Sequence, residues 1–323
     1  MKTVECLLCP RHCRLPEGGR GDCLVRTNVG GKLYSLVYAK PCSVHVDPVE
    51  KKPFFHVLPG SSAFSLATAG CNLHCLFCQN WQISQSQPEK TQNIDLPPQA
   101  AVDNALRHNC RSIAYTYSDP VIFYEYTLDT ARLAQNAGLL NLLVTAAYIE
   151  QAPLAELCTV TQAANVDLKG ITEAFYKKMC RASLRPVLDA LVTMKKLGVW
   201  LEVTNLVIPT CNDSDEDLRT LARWIKNNCG ADTPLHFSRF WPMHQLMHLP
   251  PTPEETLTRA RQIAQSEGLH FVYTGNIAGH PGENTFCPVC KKELVQRKRY
   301  TLGEIHLASG ACAFCGHRIP GIW

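Results

Sequence analysis

The sequence holds no apolar run of about 18 residues, so nothing in it is expected to span a membrane. Its opening, Met1-Lys2-Thr3-Val4-Glu5-Cys6, lacks the apolar core of a secretory signal. Strong charge of either sign is missing as well: 32 Lys+Arg against 28 Asp+Glu leave a formal +4. There is no basic stripe interleaved with aromatics, which argues against a nucleic-acid partner. The nearest approach, Arg297-Lys298-Arg299-Tyr300, reads as a solvated turn. No internal repeat is visible. These absences leave the expectation of a cytoplasmic globular protein, whose 323 residues and 46% hydrophobic content suffice for one large core with appendages.

Cysteine, by contrast, is abundant. Of seventeen cysteines, eleven fall into three clusters at metal-ligand spacing, and in a reducing compartment such clusters are ligands rather than disulfides. The most informative is Cys71-Asn72-Leu73-His74-Cys75-Leu76-Phe77-Cys78, three thiolates within eight residues and no fourth at ferredoxin-like spacing. A fully protein-ligated 4Fe–4S cluster takes four thiolates; three leave one iron open to a small molecule. At this cysteine content the spacing arises by chance in roughly one chain in twenty, so its surroundings decide. Phe64–Ala69 reads as a short buried strand, Gly70 breaks it, and the cysteines follow on a loop. Loops at the carboxyl ends of parallel strands are where α/β barrels place their active sites.

From Phe64 onward, strand-like runs alternate with helical ones. Strands are expected at 112–116, 141–145, 164–168, 199–203, 235–238 and 270–273, and helices at 99–108, 124–137, 184–197, 215–228 and 253–267, several ending at glycine. Such alternation implies a parallel sheet. The fold class expected is α/β, a partial (βα)6-type TIM barrel over 61–282, with a Cys-rich extension at 1–60 and a zinc-ribbon-like module at 283–323.

The terminal clusters point to metals. Cys287, Cys290, Cys312 and Cys315 form two Cys-x-x-Cys knuckles separated by twenty-one residues, a zinc-ribbon spacing on a segment too small to fold by its core alone. Zinc is the expected occupant and an auxiliary iron–sulfur cluster the alternative. Cys6, Cys9, Cys13 and Cys23 suggest another closed site, and spacing does not choose between zinc and a second 4Fe–4S cluster. Cys42, Cys110, Cys158, Cys180, Cys211 and Cys229 read as small buried apolar residues.

Longer motifs carry a resemblance. Asp47–Pro53, Gly70-Cys71-Asn72, Phe77-Cys78-Gln79-Asn80-Trp81, Ala114–Tyr117, Asn165–Lys169 and Gly321-Ile322-Trp323 are similar to the AmmeMemoRadiSam system enzymes. These belong to the radical S-adenosylmethionine (SAM) superfamily and are related to pyruvate formate-lyase activating enzymes. The resemblance covers essentially the whole chain. It implies a 4Fe–4S cluster on Cys71, Cys75 and Cys78 whose open iron chelates SAM. Reductive cleavage would give a 5′-deoxyadenosyl radical that abstracts hydrogen from a substrate, in an oxidoreductase or transferase-type reaction. It also implies an electron donor such as flavodoxin or ferredoxin, and Memo-like and Ammecr-type partner proteins.

The same resemblance implies cofactor-binding residues. Phe77 is expected near the adenine, with Asn80 close by. Tyr117-Ser118-Asp119-Pro120 stands where the superfamily has Gly-Gly-Glu-Pro, whose backbone meets the methionine amino group; the family more often has Glu where Asp119 stands. Thr145-Ala146-Ala147-Tyr148 stands where relatives have Thr-Asn-Gly, so Thr145 is retained as a candidate and the Asn contact is not carried over. Asp167 and Lys169 share one face of a strand end by two-residue alternation. They are expected to line the site as its catalytic pair and to contact SAM; the plainer reading is a buried ion pair. Glu202 and Asn205 are weaker cofactor candidates, and Asn276 and His280 follow the last strand toward substrate. Two other functions remain open: a glycyl-radical-enzyme activase, and a non-catalytic metal-binding scaffold.

Overall fold

The computed structural model describes residues 2–323. Its centre is one eight-stranded sheet, made of β1 (Ser43–Pro48), β2 (Ser62–Ala67), β3 (Ser112–Tyr115), β4 (Leu140–Thr145), β5 (Ala163–Asp167), β6 (Trp200–Val207), β7 (Leu235–Arg239) and β8 (Val272–Gly275). Every strand lies beside its neighbour in sequence, and all pairs are parallel except β1 against β2. The parallel strands number seven, as the apolar runs from Phe64 onward indicate, one more than the (βα)6 label allows. The edges β1 and β8 do not pair with each other, so the sheet stays open. It begins at Ser43, inside the stretch read from sequence as an extension. Strands β2 and β3 are buried almost throughout, as parallel strands covered on both faces must be.

Six helices of eight residues or more connect the parallel strands: α1 (Pro98–Arg107), α2 (Tyr124–Asn136), α3 (Gln151–Cys158), α4 (Arg185–Lys196), α5 (Asp215–Cys229) and α6 (Glu254–Ser266). Local chemistry sets their ends. In α5 the Ser214 hydroxyl accepts the Asp217 N–H at 3.1 Å, and Asp215, Glu216 and Asp217 complement the positive end of the helix dipole. Gly138, Gly198 and Gly268 follow α2, α4 and α6 with positive φ. Helix α3 has no counterpart in the sequence reading; it is short, and Pro153 sits in its first turn, where the missing N–H costs nothing.

Four small antiparallel sheets accompany the central one, two of them larger than a pair of two-residue strands. Arg26–Val29 and Lys32–Ser35 form a hairpin whose Gly30-Gly31 turn takes positive φ at both residues. At the other end, Thr285–Phe286, Glu293–Lys298 and Thr301–Ile305 form a three-stranded sheet. Its core joins Phe55, Phe271 and Tyr273 to Cys287, Leu294, Val295, Cys312 and Ile319. The chain then returns to the central body: Ile322 bonds through its backbone to His56 and Leu58, each at 2.7 Å. Arg297 corrects the solvated-turn expectation. It is 3% exposed, lies 4.2 Å over the Phe55 ring and donates to the Phe55 carbonyl at 2.8 Å. Among the described residues, no helix is long and apolar enough to cross a membrane.

Candidate functional site

The loop after β2 carries Cys71, Cys75 and Cys78, and neighbouring segments pin it by its backbone. His74 and Leu76 donate to the carbonyls of Cys180 and Met179 at 3.1 and 2.9 Å, and Gln245 donates to Leu76. Gly70 starts the loop with φ +89; a Cβ there would stand 2.4 Å from the Cys23 carbonyl oxygen. Only glycine lets the N-terminal segment lie this close.

All three thiols line a cavity of about 420 Å3 at the carboxyl end of the parallel strands. That volume suits a cofactor-sized ligand. Burial raises the Cys71 and Cys78 thiols; Cys75 is raised by a contact with Cys180 and then by burial. The bare thiols are therefore protonated, and loading a cationic cluster must release those protons. Cys180, read from sequence as an isolated apolar residue, thus sits beside one of the three.

Strand ends bring polar groups to the same cavity. Phe77, Asn80, Tyr117, Ser118, Asp119, Thr145, Asp167 and Lys169 all line it. Lys169 donates to Asp167 at 3.0 Å, and its ammonium lies 5.8 Å from the Phe77 ring centre. Burial would discharge this lysine, but the Asp167 carboxylate beside it holds it charged. Asp119 accepts from the Val121 N–H (3.0 Å), the Thr145 hydroxyl (2.9 Å) and the Ala146 N–H (2.8 Å), tying the end of β3 to the end of β4. Burial still raises its pKa. Asn80 donates to the Tyr117 carbonyl at 2.9 Å.

Tyr117 and Ala147 both have left-handed backbones, with φ of 63° and 52°. These are the places where the resembling families carry glycine. The backbone shape is present here without the residue that makes it cheap.

Glu202 and Asn205 do not reach the cavity. Glu202 is fully buried one layer away, accepting from the N–H groups of Phe55 and His56 and from His236 at 2.7 Å. Burial pushes its pKa up, but His236 and these donors outweigh that and keep it ionised. Asn205 donates to the Leu168 carbonyl at 2.7 Å. Asn276 lines the cavity, whereas His280 is turned to Thr274 and Thr258.

Sequence reasoning missed the opposite wall. Asp47 pairs with both Lys51 and Lys52 at 2.7 Å and accepts the Tyr117 hydroxyl. Lys52 is 2% exposed, and burial lowers its pKa to about 8. Its ammonium lies 4.0 Å from the Tyr117 ring centre. The motif Asp47–Pro53 marked the family but carried no role, because its partner Tyr117 is distant in sequence. Glu283, Arg299 and Tyr300 of the C-terminal segment also line the cavity.

The terminal cysteines differ in spacing. Cys287, Cys290, Cys312 and Cys315 place all four sulfurs within 4.8 Å of one another, with pairs at 3.7 and 3.6 Å. A tetrahedral ion with bonds of about 2.3 Å sets its sulfurs about 3.8 Å apart, so these four fit one ion. Cys6, Cys9, Cys13 and Cys23 line a second, smaller cavity with Arg11, Arg26 and Asn72.

A family model described as the radical SAM superfamily matches residues 65–225. An uncharacterized protein of Methanocaldococcus jannaschii is 46% identical over 318 residues, 98% of this chain and 95% of that protein. The pyruvate formate-lyase-activating enzyme of Clostridium pasteurianum is 24% identical over 161 residues, 49% of this chain and 67% of that protein. Two solved structures share the fold. Streptococcus suis SuiB bound to precursor peptide SuiA gives a TM-score of 0.53 at 12% identity, covering 71% of this chain and 51% of that one. A radical SAM methyltransferase from Sphaerobacter thermophilus gives 0.50 at 16% identity, covering 68% and 70%. With its three-cysteine loop at the head of a mostly parallel sheet, the chain belongs to the radical SAM superfamily.

Proposed function

We propose that Cys71, Cys75 and Cys78 hold a 4Fe–4S cluster and that SAM occupies the adjoining cavity. Together, when bound, these groups supply one-electron cleavage of the sulfonium bond and a 5′-deoxyadenosyl radical that takes hydrogen from a substrate carbon. The observation that carries this reading is the meeting of three thiols with the ends of β3, β4 and β5 at one cavity. The protein's part is to bind, orient and exclude water. Lys169, held charged by Asp167, would meet the methionine carboxylate. The Tyr117–Asp119 backbone would meet its amino group, with Asp119 itself spent on joining two strand ends. Phe77 would pack against the adenine. Lys51, Glu283, Arg299 and Tyr300, which line the same cavity, would face the substrate.

Anaerobic reconstitution followed by measurement of 5′-deoxyadenosine tests the reading. Addition of reduced flavodoxin or ferredoxin should support turnover, and Memo-like and Ammecr-type proteins are the partners to add. Cys75→Ala should abolish the product; full activity in that variant would refute the cluster assignment. The C-terminal cysteines we assign to structural zinc, on the strength of their sulfur spacing.

The similarity to a pyruvate formate-lyase-activating enzyme favours a second reading, in which the hydrogen comes from a protein glycine. A glycyl-radical doublet in the electron paramagnetic resonance (EPR) spectrum of an added glycyl radical enzyme would select it. The wall that residues 283–300 add to the cavity favours the first reading.

A further inference from the structure

The four N-terminal cysteines surround a cavity of their own, and three observations describe what it takes. The first is spacing. Four thiolates on one tetrahedral ion stand about 3.8 Å apart, and the C-terminal set meets that. Among the described residues the C-terminal four are the one group of three or more Cys, His, Asp or Glu placed to hold a single ion. Neither Cys6, Cys9, Cys13 and Cys23 nor Cys71, Cys75 and Cys78 form such a group. A four-iron cluster gives each thiolate its own iron at the corner of a cube and so holds its ligands apart.

The second is an orphaned donor. Arg26 lines the cavity and is 6% exposed, its terminal nitrogens fixed on Glu125 at 2.8 and 2.6 Å. Its Nε has no partner. A buried cation with a free N–H costs stability unless an anionic acceptor fills the space beside it. Four thiolates around a cluster, with sulfide at its corners, are such an acceptor. The Asp22 N–H already donates to the Cys13 sulfur at 3.4 Å.

The third is position. Asn72, which follows Cys71 directly, forms part of the cavity wall, and Gly70 packs on the Cys23 carbonyl. The two sites stand back to back across one stretch of loop.

We infer that Cys6, Cys9, Cys13 and Cys23 ligate a second 4Fe–4S cluster, fully coordinated by protein and therefore without an open iron. This goes beyond the SAM-cleaving site and does not depend on its substrate. The test uses the full chain, purified anaerobically, and its Cys71→Ala/Cys75→Ala/Cys78→Ala variant. That variant should keep about four iron and four sulfide per chain, with an EPR signal after dithionite reduction. Adding Cys9→Ala and Cys23→Ala should remove both. If the N-terminal changes prevent folding, the wild-type count decides: about eight iron and one zinc per chain support the cluster. About four iron, all lost in the triple variant, with two zinc ions retained, would overturn it and leave the SAM-cleaving site intact. Iron retained in the triple variant together with a wild type that never forms 5′-deoxyadenosine would support the second cluster and refute the first reading.

Discussion

Lys52 shows how much a single side chain can hide from sequence. It is a buried ammonium whose counter-ion, Asp47, also binds Lys51 and Tyr117. Removing that counter-ion in Asp47→Asn should cost about 3–5 kcal/mol at neutral pH, since a buried charge loses its partner. Urea denaturation measures it, and a loss under about 1 kcal/mol would contradict the pairing. The pH dependence has a definite sign. Burial lowers Lys52 to about 8 from 10.5, so between those values the unfolded chain holds the extra proton. Stability contributed here should rise with pH across that window. In Lys52→Met the rise should disappear; an unchanged slope would show that Lys52 is not its source. Cys71, Cys75, Cys78, Asp167 and Lys169 are legible in sequence because neighbours in the chain decide their grouping. Glu202 was misplaced because alternation gives the face of a strand but not the depth along it. Thr204 reaches the cavity, while Glu202, one pair lower, lies behind His236.

At the scale of elements, most helices and all the parallel strands follow from periodicity and stop signals. What does not follow is how strand ends are shaped. Ala147 sits with φ 52° and no exposed surface, a conformation that costs an alanine about 1 kcal/mol or more. Ala147→Gly should therefore hold or raise stability by up to about 1 kcal/mol, after the added freedom of the unfolded chain is counted. A clear loss in thermal denaturation would mean that the methyl packing outweighs the backbone strain. Gly70→Ala should act oppositely. Its new methyl would meet the Cys23 carbonyl at 2.4 Å and Val25 at 2.6 Å. Loss of about 2 kcal/mol or more is expected, with faster proteolysis of the first thirty or so residues. Normal protection of that segment would show that the loop has another way to seat it.

At the scale of the whole molecule, the C-terminal segment returns to residues 55–58 beside the central sheet. Cys287→Ala/Cys312→Ala should lose zinc and make residues 283–323 protease-sensitive, because metal binding there supplies folding energy. A tail that stays protected without metal would refute the assignment. Since Glu283, Arg299 and Tyr300 line the cavity, the same variant should weaken substrate binding more than cluster loading. That wall was invisible in the sequence, which gives two cysteine knuckles but not the surface they turn inward. The return of the chain end also sets an order of events during synthesis. Each sheet strand pairs with the one before it, so the sheet can grow as it leaves the ribosome. His56, however, waits for the Pro320 carbonyl 264 positions later, and the Phe55 carbonyl for Arg297, 242 positions later. Until then one side of the nascent sheet is open beside Glu202 and His236. On the proposed function, a chain that stopped short of those residues would carry its three-cysteine loop in a cavity lacking the Glu283, Arg299 and Tyr300 wall.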